Sequence, residues 1–247
     1  MNSSFFNKIF ISQFGSINPP WIHKDVFYKL PFNFCDRWCE RCRLSNICRV
    51  YQKEKESEKK FIKQGIDPKS TEAMLLSMSE SFEETKKLLE KDMKRLKIKI
   101  TKNDNEKYEK DKLVQNDPLI QVAKKLCISL VKLVEDLHYY FLEKTPKEIK
   151  EPLKILNYYM LFFSVKIHRA ILSTIEEKEM KYEDSTFDSK NSAFLSYVSV
   201  VKIINALKNI LNYKNFDYNL KKKITKYLSL FENLNLVLKE RFDLEYK

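Results

Sequence analysis

A chain of 247 residues, 43% of them hydrophobic, is long enough for a helical domain with a core of its own, so no metal is required to replace a missing core. Its two glycines, Gly15 and Gly65, exclude glycine-rich phosphate loops and dinucleotide turns and argue against an all-β fold with many tight turns. The net charge of +12 is divided evenly: residues 1–117 carry 24 basic against 18 acidic side chains and residues 118–247 carry 22 against 16, +6 in each half, so there is no basic domain or tail.

The N-terminal stretch MNSSFFNKIFISQFG lacks the basic start, unbroken apolar run and small-residue cleavage site of a secretory signal, which makes a reducing cytoplasm the expected compartment. Phe5, Phe6, Ile9, Phe10 and Phe14 share one helical face and predict a short amphipathic helix that clasps the core, ended by Asn18-Pro19-Pro20. Its polar face is not lysine-rich, which favours the core over a membrane surface.

After Pro31 come four of the five cysteines within fourteen residues, Cys35, Cys39, Cys42 and Cys48, spaced C-x3-C-x2-C-x5-C. Thiolates bind soft metals, and in a reducing compartment clustered cysteines point to a metal before disulfides. Structural zinc sites usually take two close pairs about a dozen or more residues apart, whereas nearly contiguous ligands suit one loop wrapped round a cluster. The expectation is a 4Fe-4S cluster on these four sulfurs, with one zinc ion or no metal as the alternatives. Phe34 and Trp38 would shield a cluster from water. Four of the seven arginines, Arg37, Arg41, Arg43 and Arg49, lie in the same segment of a chain that otherwise uses lysine. Their planar, bidentate heads suit contacts to an anion or to nucleic acid, or else pairing with Asp36 and Glu40.

A charged helix is predicted over about residues 44–63, stopping near Gly65. Asp67-Pro68 then opens a long amphipathic helix to about residue 98, with Ala73, Met74, Leu76, Met78, Phe82, Leu88, Leu89, Met93 and Leu96 as its stripe. Residues 99–116 lose hydrophobicity and period and read as an exposed polar linker. Asp117-Pro118 repeats the cap-plus-proline start for a helix with Ala123, Leu126, Leu130, Val134, Leu137 and Phe141 inward. Thr145-Pro146-Lys147-Glu148 forms a capping box for a helix to about Glu179, whose apolar run Ile155–Val165 is too short to span a bilayer. A polar stretch, 181–192, separates it from Phe194–Tyr213, and Leu220, Ile224, Tyr227, Phe231, Leu234 and Leu238 mark a last helix. The expected fold is all-α: residues 117–247 as an antiparallel four-helix bundle, preceded by a segment 1–66 carrying a cysteine metal loop, a helix 67–98 and a linker 99–116.

The half-motif Cys39-x2-Cys42-x5-Cys48 resembles the 4Fe-4S loops of endonuclease-III-type DNA glycosylases, over about ten residues. Those enzymes have a longer gap before the first of these three cysteines, and their helix-hairpin-helix, with its required glycines, is absent, so the resemblance implies cluster ligation at Cys39, Cys42 and Cys48 alone. Cys35-x3-Cys39-x2-Cys42 also matches the radical-SAM spacing, but that chemistry requires an iron left open and a β/α barrel, and this chain supplies neither alternating strands nor glycines. The blocks C-D-R-W-C-E-R-C, Gly65-Ile66-Asp67-Pro68 and Ser79-Glu80-Ser81-Phe82 together resemble an uncharacterised bacterial family of helical proteins with the same N-terminal cysteine motif. That resemblance implies no activity.

Glu135-x-x-His138 has the spacing used by ferritin-like di-iron bundles, and His168 is a third candidate for redox or di-iron chemistry. A step of about 100° per residue from Phe141 puts His138 about 60° and Glu135 about 120° from the stripe centre, which predicts a flank position and no iron. Tyr139-Tyr140 and Tyr158-Tyr159 are expected to fill the bundle, and Cys127 to be a buried small hydrophobe. Together these features describe a metal-containing helical protein that acts as a structural or interaction module with another protein as partner. Nucleic-acid binding through the arginines is the first alternative, an enzyme in the bundle the second, and no membrane span is expected.

Overall fold

The computed structural model describes residues 35–42, 44–97, 104–142, 144–179 and 186–244. They form seven α-helices and no strand: α1 (Arg49–Lys63), α2 (Thr71–Leu96), α3 (Asp104–Asn116), α4 (Pro118–Tyr140), α5 (Lys147–Glu179), α6 (Thr186–Leu211) and α7 (Tyr218–Arg241). The segment holding Phe5 to Phe14, the Asn18-Pro19-Pro20 stop, Phe34 and Arg43 lie outside the described residues. The described chain divides into two compact units at the junction of Asp104 and Asn105.

In the C-terminal unit α4 to α7 make the expected bundle, with α5 packed most extensively on α6, α6 on α7, α4 on α5, and α7 closing back on α4. Local chemistry sets the helix starts. Asp117 accepts the Leu119 N–H at 2.9 Å with Pro118 in the first turn, and Asp217 accepts the Leu220 N–H at 2.9 Å. The core is aliphatic along α4, with Leu126, Leu130, Leu133 and Leu137 buried, and aromatic along α5, where Phe163 meets Phe231 of α7 edge-to-face at 5.4 Å. At one end Phe141, Tyr213 and Phe216 interlock, their ring centroids 5.1–5.6 Å apart. Across α5 and α6, Arg169 and Ser173 both donate to Asp188.

Helix α6 begins at Thr186, so the described part of the stretch 181–192 is helical; Asp188, Ser189 and Asn191 lie inside the helix, Asp188 and Ser189 held by side chains of α5. Asp188–Leu211 is the one segment among the described residues long and apolar enough to cross a membrane, with mean hydropathy 1.4. Most of it, 61%, is buried inside the protein, as for a central bundle helix. The apolar run Ile155–Val165 likewise supplies the core residues Leu156, Tyr159 and Phe163. Tyr139 does not fill the bundle: it is 80% exposed, and Tyr140 instead donates its hydroxyl to the Asn215 carbonyl at 2.7 Å.

The linker expected over 99–116 is α3 from Asp104 onward. It lacks an apolar stripe because, of its described side chains, only Val114 is buried. In the N-terminal unit Ser70, not Asp67, caps α2, accepting the Ala73 N–H at 3.1 Å, while Asp67 accepts the Lys69 N–H in the turn before it. Helices α1 and α2 are joined by Lys60–Glu80 and Lys53–Glu84 ion pairs, with Phe61 and Ala73 buried beside them. Of the apolar stripe read on α2, Ala73 alone is buried; Met74, Leu76, Met78, Phe82, Leu88, Leu89 and Leu96 are exposed.

Candidate metal centre

The four cysteines lie on a short irregular segment leading into α1. Cys35-Asp36-Arg37 makes a tight turn in which Arg37 adopts a left-handed backbone, φ 60°, and Asp36 is buried and accepts the Trp38 N–H at 3.1 Å. Cys39–Arg41 is one turn of 3-10 helix, closed by Cys42 N–H donating to the Cys39 carbonyl at 3.1 Å. Residues 44–47 form a further turn, and Cys48 is the cap residue of α1, buried, with its sulfur making no cap hydrogen bond.

Two of the sulfurs receive a backbone N–H from the residue two positions ahead. Leu44 N–H donates to Cys42 Sγ at 3.4 Å, and Arg37 N–H donates to the sulfur of Cys35. Such bonds orient a sulfur and stabilise negative charge on it. They do not prevail at Cys35: burial pushes its thiol up to about 11, and Asp36, Cys39 and Cys42 add to the rise. Burial also raises Cys39, with Glu54, Cys48, Cys42 and Asp36 as further negative neighbours. Cys39 therefore stands within electrostatic reach of the other three sulfurs, in a setting that keeps Cys35 a neutral thiol. All five cysteines are free.

The donor set, four soft sulfurs on one short segment, has the chemistry a zinc ion or an iron-sulfur cluster takes. Among the described residues, however, no three of His, Cys, Asp and Glu come together closely enough to hold a metal ion, so the sulfurs are neighbours without being a closed cage.

The arginines do different things. The Arg41 guanidinium lies over the Trp38 ring, 3.8 Å from its centroid, which covers one face of the indole expected to shield a cluster. Arg37 and Arg49 are exposed, Arg49 as the first residue of α1.

Glu135 and His138 are both exposed on α4, and His138 pairs with Asn157 of α5, Nδ2 to Nε2 3.0 Å. His168 is half-buried on α5. The structure does not assemble these three into a metal-binding group, because the glutamate faces away from the core on which a di-iron site depends. Cys127 is half-buried, and burial alone raises its thiol. Sequence reasoning missed the buried carboxylate Asp36 and the sulfur-directed N–H groups; the left-handed backbone at Arg37, beside Asp36 and Cys35, has no glycine to announce it. Comparison with protein-family models, with curated proteins and with solved structures finds no match to this chain.

Proposed function

We propose that this protein is a metal-binding helical module in which Cys35, Cys39, Cys42 and Cys48 hold a 4Fe-4S cluster next to α1, and the C-terminal bundle serves as a scaffold for interaction with another protein. The observation that carries the reading is the electrostatic proximity of Cys39 to the other three sulfurs on one short segment, two of the four already receiving backbone N–H bonds. Bound as thiolates, they would supply a cluster with four covalent anchors and a redox-active or purely structural centre. Without a cation the same proximity is unfavourable, since each thiolate raises its neighbours; a bound cation reverses that sign and draws the segment closed. Arg41 over Trp38 would cover the site, which favours this reading over nucleic-acid binding, where the same guanidinium would be needed at a phosphate.

Anaerobic purification with metal analysis and visible absorption tests it. The expected result is a brown protein with roughly four irons per chain and a broad band in the visible range. Cys42→Ser is expected to abolish the colour while the far-ultraviolet helical signal of the bundle is retained. One stoichiometric zinc in a colourless protein would replace the cluster with zinc, and a metal-free protein under both iron and zinc supply would sink the proposal.

A further inference from the structure

Helix α2 presents an apolar stripe that borders its contact with α1. Ala73, Met74, Ser77, Met78 and Ser81 line the groove against α1, and Glu80 and Glu84 pair with Lys60 and Lys53. A step of about 100° per residue puts Leu75, Met78, Phe82, Leu89, Met93 and Leu96 within one arc of about 60°, and of these six Met78 also lines that groove. Leu75, Leu89 and Leu96 are each 58% exposed, Phe82 66% and Met78 47%; Met93 is half-buried. A stripe this regular, left uncovered by the described residues along a helix of 26 residues, is suited to a partner.

The stripe and the charges around it specify which partner. The gaps between successive residues of this arc are 3, 4, 7, 4 and 3, a palindrome centred between Thr85 and Lys86. Charge reverses about the same centre. Thr71–Glu84 carries Glu72, Glu80, Glu83 and Glu84 and no cation, a charge of −4, whereas Thr85–Lys97 carries six cations against Glu90 and Asp92, 6 − 2 = +4. The helix dipole favours acids in the first turn and bases in the last, which accounts for Glu72 and Arg95 but not for a separation that runs through the middle of the helix.

We propose that α2 pairs antiparallel with α2 of a second copy of this chain, about a two-fold axis passing between Thr85 and Lys86. In that register Leu75 meets Leu96 of the second copy, Met78 meets Met93, and Phe82 meets Leu89, so every position of this arc meets an apolar one, while Met74, Leu76 and Leu88 lie outside it. Along one edge Glu72 comes beside Lys97 and Glu83 beside Lys86, each pair occurring twice by symmetry. A parallel pairing would instead set the acidic halves together and the basic halves together. The second copy is thereby preferred to a lipid surface, which would take the stripe but leave the acidic half facing anionic headgroups. The proposal does not depend on the cysteine site.

Light scattering and sedimentation equilibrium of the full chain test the pairing. The expected particle has twice the 29.7 kDa chain mass, and it dissociates more readily as salt is raised. Phe82→Glu is expected to yield a monomer of unchanged helix content. Lys86→Glu alone should weaken association by roughly tenfold, because two like-charge contacts replace two attractive ones, and adding Glu83→Lys to it should restore most of the loss. Recovery by that double reversal separates a pairing defect from a folding defect. Cys42→Ser should remain dimeric, and its dissociation would assign association to the cysteine segment and overturn the proposal. So would a wild-type monomer throughout the micromolar range, a dimer indifferent to Phe82→Glu, or a monomer that binds phosphatidylcholine–phosphatidylserine vesicles through Phe82.

Discussion

Asp117 serves two structures through one carboxylate. Its Oδ1 caps α4, and both oxygens receive the Arg241 guanidinium from the last turn of α7, at 2.8 and 2.5 Å, in a two-bond fork. Burial pushes this carboxyl up, but the side-chain bond from Arg241 and the backbone N–H groups of Leu119 and Ile120 more than offset it and hold the group below the usual carboxylate range. A folded-state value below the unfolded one means that the pair stabilises the fold above the unfolded value, about 3.9, and that this contribution disappears as pH falls through the folded value. Arg241→Ala is therefore expected to cost about 1 kcal/mol near neutral pH, the upper end for a surface ion pair. Denaturant titrations at several pH values check this. The gap between wild type and variant should narrow below about pH 4, and a gap that persists at pH 2 would mean that the lost interaction is packing of the arginine stem.

At the scale of elements, what the sequence reveals depends on how local the cause is. The start of α4 is legible because Asp117-Pro118 contains both the cap and the pre-set φ angle, and the burial of Leu130, Leu133 and Leu137 follows from a stripe that repeats without interruption. Helix α3 is not legible. Periodicity detects a helix by the face it buries, and Val114 is too little to register. Helix α2 shows the complementary failure, because its pattern is helical yet periodicity identifies an apolar face without identifying what covers it. The candidate metal centre divides in the same way. Donor type and spacing are visible in the four cysteines, whereas the buried Asp36 and the N–H groups directed at Cys35 and Cys42 arise from backbone angles that composition does not encode.

For the molecule as a whole, the described residues divide into two compact units at residues 104 and 105, and damage to one core is expected to leave the other folded. Phe163 provides the test. It is fully buried on α5 and stacks edge-to-face on Phe231 of α7, among Leu156, Tyr159 and Ile167 of its own helix, so its ring fills space that the bundle cannot collapse around. Phe163→Ala is expected to destabilise the bundle by about 3–5 kcal/mol, the usual cost of removing a buried ring together with the cavity left behind. Denaturant unfolding followed by far-ultraviolet circular dichroism measures that loss. In native buffer the variant should retain the metal proposed for the cysteine segment and the association proposed for α2, since those residues belong to the other unit. If Phe163→Ala instead released metal or dissociated the particle while the bundle remained folded, the two units would be energetically coupled, and the bundle would be a regulator of the N-terminal unit instead of an independent scaffold.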